Sequence, residues 1–570
     1  MSIRRSIIGG LKGQPALSPK RITNLVCLLT MAITFCGCTL QVPKDYEEGT
    51  RQVAVFPDDF GATLPPNIAP LNFCINEEAS DFVTRLHSKK GSELLVAGRD
   101  VCFDEDDWRQ LLEQTRGDTL FCDIYAKVDG GWLHYPTQHY LVAPDSIDSY
   151  ITYRLIRPSY VTYEELTLHE RCLENFDERV FYENMRFEDS NQGQCINCHV
   201  PKNWNREQES QFHVRQAMGG TVFIHGDQAT KVNLKTDSTL SAGVYPAWHP
   251  TLDLIAYSVN ETGQVFHTLD PQKVEVIDYA SDLILYDVEA NTVRHIDRTA
   301  LEFESFPTWS PDGRTLYYIS AHYTPRADNI DADLDNNYDK LHYNIYARDF
   351  DLERRCFGPR RLVFDAESMS KSASVPRISP DGKYLLFTLA DYGQFHIWHK
   401  SSDLWVLPLC GNPQGFRPEP LRVGAITLKG SGVNPKGFAS PLQTLNSDES
   451  ESYHAWSSNG RWILFSSRRD DGNYTRLYIC YFDSLGHAHK PFRLPQRSAD
   501  IDEELLRSYN AAEFMVKPVL PKRPDLKTVI EADARPASYG GSALLHPEAD
   551  TTAVPSASKA TERRSTTIGY

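Results

Sequence analysis

The sequence predicts a mainly β protein: a small β-rich N-terminal domain, a cysteine-bearing segment, then a β-propeller of five or six blades. Three observations carry this. Four segments align with one another: YPAWHPTLDLIAYS from Tyr245, FPTWSPDGRTLYYIS from Phe306, VPRISPDGKYLLFT from Val375 and YHAWSSNGRWILFSS from Tyr453. Each runs from an aromatic residue or Val through a bridging residue to Trp or Ile, then a turn, then an alternating strand. The turn Ser-Pro-Asp-Gly is chemically apt, because Pro presets φ, Asp bonds its own backbone and Gly takes the positive φ. Further strand-turn-strand signals follow each turn, from Leu283, Asn344, Asp403 and Arg476. That makes about four strands per unit, the size of a propeller blade.

The chain starts with a basic leader, Arg4, Arg5, Lys12, Lys20 and Arg21. An uncharged apolar run, residues 22–35, follows; it is short for a membrane span and suits a signal-peptide core. It ends in Phe35-Cys36-Gly37-Cys38, which resembles a loose bacterial lipoprotein box of the Bacteroidetes kind. On that reading residues 1–37 are a lipoprotein signal peptide and Cys38 is lipidated. An ordinary secretory signal or an uncleaved anchor is the alternative. All three export the chain to the cell envelope, facing the periplasm or the outer-membrane surface.

Residues 38–50 read as a tether, and 51–190 as the N-terminal domain, with strands in LFCDIYAKV (from Leu120) and YITYRLI (from Tyr150) and a short helix near residues 106–114. Net charge is −17, which argues against nucleic acid or anionic lipid as partner; the membrane is reached through the N-terminal lipid alone. Outside the leader, Cys38 and the motif below, seven cysteines remain (Cys74, Cys102, Cys122, Cys172, Cys356, Cys410 and Cys480), an odd number whose pairing is not deducible.

Residues 191–220 contain Cys195-Ile-Asn-Cys198-His199. Chance would place a C-x-x-C-H in roughly one such chain in a hundred. Two thiols about one tight turn apart can add across the two vinyl groups of a single haem, with the next imidazole as proximal iron ligand. One covalent haem c is therefore expected at Cys195, Cys198 and His199. A dithiol redox pair, half of a zinc site and a plain disulfide are the alternatives. His213 or Met218 could supply the distal ligand, with His213 preferred, and Arg215 could pair with a propionate. His213 and Met218 also have ordinary readings: a structural or surface histidine and a core or linker methionine.

W-S-P-D-G-[RK] followed by an L-[YW] strand resembles the TolB-type propeller repeat, which assigns residues 221–520 to a TolB-like propeller. The bridging residues Pro246, Pro307, Pro376 and His454 lie 61, 69 and 78 residues apart, against 40 to 45 in a bare blade. The surplus is placed in insertions at 259–280, 322–342 and 422–450. The stretch from Tyr153 to the C-I-N-C-H, with FHVRQAMGGTVF from Phe212, is similar to exported Bacteroidetes proteins that join a C-x-x-C-H segment to such a propeller. Their Met before the Phe-His is Gln211 here.

Asp331, Asp333, Asp335 and Asp339 alternate like the start of a calcium loop, but Asn336 replaces its Gly and His342 its closing Glu. A solvated acidic loop is the better reading. Residues 521–570, rich in Ala, Ser, Thr and Pro, are expected to be a disordered tail. No hydrolase signature occurs. Two functions compete: a tethered haem c protein for electron transfer or redox sensing, docking an envelope redox partner through its propeller; and an envelope scaffold or ligand-binding propeller without functional haem. An oxidoreductase fed electrons by the haem is a third, weaker case.

Overall fold

The computed structural model describes residues 40–545 apart from 92, 158–165, 185–193, 217, 268, 270–271, 300, 328 and 410–438. The leader and Cys38 therefore lie outside the described residues, as does Cys410. Among the described residues no helix is long and apolar enough to cross a membrane.

From residue 150 onward the strands form six blades. The chain closes the ring on itself in blade 1. Its inner strand, Ser508–Met515, comes from near the C-terminus and pairs antiparallel with Tyr150–Ile156. Thr167–Cys172 and Glu178–Glu183 continue outward. Blade 2 runs Gln194–Pro201, Glu209–Gln216, Gly220–His225 and Gln228–Asn233. The inner strands of blades 3 to 6 are Val244–Trp248, Glu302–Trp309, Ser372–Ile378 and Glu451–Trp456. These four are the repeats visible in the sequence. The six inner strands lie side by side in a closed ring.

Two expected boundaries move. The strand at Tyr150 belongs to blade 1, not to the N-terminal domain, because its pairing partner is Ser508–Met515. The C-x-x-C-H is not a separate segment before the propeller: it is the inner strand of blade 2.

The repeat residues have identifiable jobs. In the turns, Asp312 accepts from the Ser310 hydroxyl (2.5 Å) and Arg314 N (3.0 Å), Asp381 and Asn459 repeat both bonds, and the following Gly313, Gly382 and Gly460 take φ of 69°, 71° and 67°. The tryptophans tie blades together. Trp248 Nε1 donates to Val200 O (3.3 Å), Trp309 Nε1 to Ala247 O (3.1 Å) and Trp456 Nε1 to Arg377 O (3.3 Å). Each indole thus reaches the backbone of another blade's inner strand while its ring fills the space between blades.

The N-terminal domain has a seven-stranded and a three-stranded sheet. Helix Glu105–Thr115, capped by the Asp104 carboxylate, buries Trp108, Leu111 and Leu112 against them. One apolar core runs from these residues into Trp462, Leu464 and Ile479 of blade 6. Polar contacts seal the joint: Asp148 accepts from Ser458 N and Oγ, both 2.6 Å.

Residues 521–545 are ordered, contrary to the disordered tail expected there; 546–570 lie outside the described residues. Helix Arg523–Glu531 buries Leu526 and Ile530 in the core shared by blades 1 and 2. Arg535–Pro536 then adds to the outer edge of blade 2 and Ser538–Ser542 to that of blade 3, both parallel. Leu544 bridges to Phe357 in the outer strand of blade 4. The tail is a belt over three exposed sheet edges. The acidic run also differs from the expected loop. Ile330–Asn337 is a helix, and Asp333 accepts from Tyr323 Oη (2.8 Å) and Arg326 N (2.7 Å). Asp335 accepts from Tyr279 Oη and Asp339 meets Lys340, so these carboxylates diverge.

Candidate functional site

Each inner strand carries one β-bulge, and each bulge begins with a left-handed residue: Cys198 (φ 52°), Tyr245 (48°), Phe306 (47°), Val375 (48°), Tyr453 (46°) and Ala511 (49°). The register breaks at the bulge in every blade: between Asn197 and Val200 in blade 2, and between Val244 and Ala247 in blade 3. The residue after the left-handed one is His199, Pro246, Pro307, Pro376, His454 or Ala512. Cys198 and His199 are therefore the blade 2 version of a device found in all six blades. A bulge adds a residue, leaves it outside the ladder and re-aims the side chain. Here the left-handed residues line a central cavity of about 1560 Å³.

The bulge decides which way the motif faces. Cross-strand partners share a sheet face. Cys195 stands opposite Arg215 and Asn197 opposite His213, whereas Ile196 and Val214 pair on the other face and bury themselves against blade 1. Strict alternation would send Cys198 after Ile196; the bulge turns it instead toward blade 3, where its Sγ accepts from Tyr245 N (3.5 Å). Cys198, His213 and Arg215 thus line one side, while Cys195, opposite Arg215, also touches the core of blades 1 and 2.

His199 leaves the strand the other way. It is 4% exposed, and its ring faces the backbone of Thr152 and Ala511 in blade 1. Neither ring nitrogen has a hydrogen-bond partner among the described residues. Burial, then the Arg154 charge, pushes its imidazole down to about 3. His213 is also pushed down to about 3, by burial and then Arg215; its Nδ1 lies 3.3 Å from Thr221 Oγ1. Burial raises the Cys198 thiol. Both imidazoles are therefore neutral near pH 7, and the Cys198 thiol is held protonated.

The expected site residues therefore come together only in part. Cys195, Cys198, His199, His213 and Arg215 all line the cavity. Met218 does not: it is half-buried and packs into the core of blades 1 and 2, so it is not placed as a distal ligand. The donor set suits a haem c in its chemistry, with free thiols and an imidazole whose nitrogens are unclaimed. It does not fit one in its orientation. The thiols sit on an extended, bulged strand rather than a tight turn, and the His199 ring faces the backbone of blade 1 while Cys198 faces blade 3. Among the described residues, no group of three His, Cys, Asp or Glu is placed to hold a metal ion.

Sequence reasoning missed the rest of the cavity. Tyr245, Phe306 and Tyr453 form part of an aromatic floor, with Tyr245 and Phe306 stacked at 4.0 Å. Arg154 donates to Ile196 O (3.1 Å) and Asn510 Oδ1 (2.6 Å), and Arg377 meets Glu513 at 3.2 Å. The insertion at 259–280 is a long hairpin, Leu254–Phe266 and Val274–Asp287, that reaches over blade 4 to blades 5 and 6. Glu275 accepts from Tyr392 Oη (2.6 Å) and lies 3.3 Å from His399 Nε2; Lys273 Nζ meets Asn473 Oδ1 (2.5 Å). Val274 packs on Ile397 and Trp398. Its length in the sequence was the one signal for it.

No family model matches the chain, and no curated protein does. Among solved structures it is similar to a Mycobacterium tuberculosis puromycin-hydrolyzing peptidase, 14% identical with a TM-score of 0.30 over 67% of this chain and 52% of that one. It is also similar to a Pseudomonas aeruginosa periplasmic gluconolactonase, 11% identical, TM-score 0.24, over 60% of this chain and 82% of that one. A DUF4784 family protein from Bacteroides caccae is 8% identical, TM-score 0.23, over 62% of this chain and 92% of that one. The chain spans about half the length of the peptidase. At these TM-scores none of the likenesses bears on function.

Proposed function

We propose that the chain is an exported, lipid-tethered binding propeller of the cell envelope, and that its central cavity is the ligand site. The observation that carries this is the cavity itself. At about 1560 Å³ it exceeds the usual 300–1,000 Å³ of small-molecule sites, and convergent polar groups stand over an aromatic floor. Its walls come from all six inner strands.

A haem c protein of electron transfer or redox sensing is the second reading. It is favoured by two free thiols and an unpartnered buried imidazole on one cavity. Under it Cys195 and Cys198 would hold the macrocycle and His213, on their side of the strand, would be the nearer imidazole.

Native mass spectrometry of the exported protein tests the proposal. A small molecule that is retained in the folded chain and released on unfolding, with both thiols open to alkylation, is the expected result. An adduct that survives denaturation and vanishes in Cys195→Ala/Cys198→Ala would overturn it in favour of haem. The absence of any bound molecule, combined with no thermal stabilisation by a panel of charged and neutral ligands, would overturn it without favouring haem.

A further inference from the structure

Resting on that reading of the cavity, we infer the class of its ligand: an organic anion with a planar apolar part, its negative end toward blade 2. The inference starts from charge. The chain carries a net −17, yet the cavity wall is richer in cations than in carboxylates. Two of those cations, Arg215 and Lys235, pair with no carboxylate among the described residues. Both come from blade 2: Arg215 lies in the second strand, and Lys235 two residues beyond the fourth. Unpaired cations concentrated on one wall of an otherwise acidic protein focus the field there and draw in an anion.

The lining carboxylates come from other blades. Glu261 lines the cavity from the blade 3 hairpin and Asp331 from the blade 4 insertion. A dianion extending from blade 2 toward these groups would meet like charge. An amphiphile with one anionic end avoids this. Arg215 is also suited by geometry, since its guanidinium offers paired donors to a carboxylate, sulfonate or phosphate.

The floor accounts for the other half of the ligand. Tyr245 and Phe306 are stacked with an interplanar angle of 28°, and Tyr453 lines the same cavity. The bulges hold these rings in the cavity through left-handed backbone, so they are fixed before a ligand arrives. Stacked rings present a flat apolar surface, which selects planar groups over branched ones.

Two probes of nearly the same shape separate the contributions. 1-Anilinonaphthalene-8-sulfonate has planar rings and one sulfonate; N-phenyl-1-naphthylamine is the same ring system without it. The sulfonate is expected to bind the full chain one to one, and the neutral amine about tenfold or more weaker. Arg215→Gln and Lys235→Gln should each weaken the sulfonate about tenfold while leaving the amine unchanged; Glu261→Gln, which removes a negative charge from the cavity, should not weaken it. Equal binding of the two probes, unaffected by the variants, would overturn the ligand class but leave the cavity as a binding site. Failure of both probes to bind would overturn the ligand class and count against the cavity as well.

Discussion

His199 of blade 2 and His454 of blade 6 occupy the same place in the propeller ring. Each follows a left-handed residue, each is buried, and each turns its imidazole toward the backbone of the neighbouring blade: His199 to Thr152 and Ala511, His454 to Leu386 and Val375. His454 lies in a repeat with no cysteine before it. The burial of His199 therefore needs no cofactor to explain it, because a wedge between blades is what this position supplies.

That equivalence makes a direct prediction. Pro246, Pro307 and Pro376 stand at the same place after left-handed residues, so His199→Pro meets a backbone that already accepts proline three times. The bulge N–H lies outside the ladder, so no strand bond is lost. We expect the variant to fold with a stability within about 1 kcal/mol of the parent by urea denaturation. A loss of several kcal/mol would mean that the imidazole does something the repeat does not require.

The histidine wedges also set an acid limit. His454 titrates at about 3 when folded, against 6.5 ordinarily, because burial disfavours its charged form. Between these values the unfolded chain binds the proton and the folded one does not. Its contribution is therefore complete above pH 6.5 and is lost as pH falls toward 3, at up to about 1.4 kcal/mol per pH unit. His454→Gln should flatten the stability curve by that slope in this window. An unchanged slope in urea titrations from pH 6.5 to 4 would contradict the burial.

How much of this was legible beforehand follows from turn chemistry and from distance along the chain. Blades 4 to 6 were visible because Ser-Pro-Asp-Gly or its relative Ser-Ser-Asn-Gly marks each turn, with Trp or Ile ahead of it, and blade 3 because Trp248-His249-Pro250 and the strand after it keep the same frame. Blade 2 was hidden because its turn is Lys202-Asn203-Trp204-Asn205, where Asn203, Trp204 and Asn205 themselves take positive φ. Blade 1 was hidden because its inner strand is supplied from Ser508–Met515, more than 350 residues from Ile151, and no local pattern announces such a closure. The cysteine motif drew attention as cofactor chemistry, and its match to the repeat, Cys198-His199 for Tyr245-Pro246, shows only in the register. The tail lacks hydrophobic rhythm because it lies along sheet edges and gains its order from their unpaired backbone.

The belt should be needed. Ending the chain after Leu520 removes two fully buried side chains, Leu526 and Ile530, worth roughly 3 to 6 kcal/mol together, and uncovers the edges of blades 2 to 4. A lower melting temperature and concentration-dependent association in sedimentation are expected. A truncated chain as stable and monomeric as the parent would show the belt to be dispensable.

Blades 3 and 4 hold a buried ion pair, Arg348 to Asp297 at 2.6 Å, each side chain 6% exposed. Asp282 and Glu304 feel the Asp297 charge and are pushed upward, chiefly by burial. Arg348→Ala leaves Asp297 uncompensated among them and should destabilise by about 3 to 5 kcal/mol, largely recovered in Arg348→Ala/Asp297→Asn. Additive effects of the two changes in calorimetry would rule out the coupling.

The most direct measurement is a pyridine haemochrome spectrum of denatured, washed protein exported alongside a cytochrome c maturation system. The account predicts no covalent c-type band and two alkylatable thiols at Cys195 and Cys198, because the thiols stand on an extended strand whose bulge turns Cys198 toward blade 3 and His199 toward blade 1. A c-type band that disappears in Cys195→Ala/Cys198→Ala would contradict it and return the chain to electron transfer.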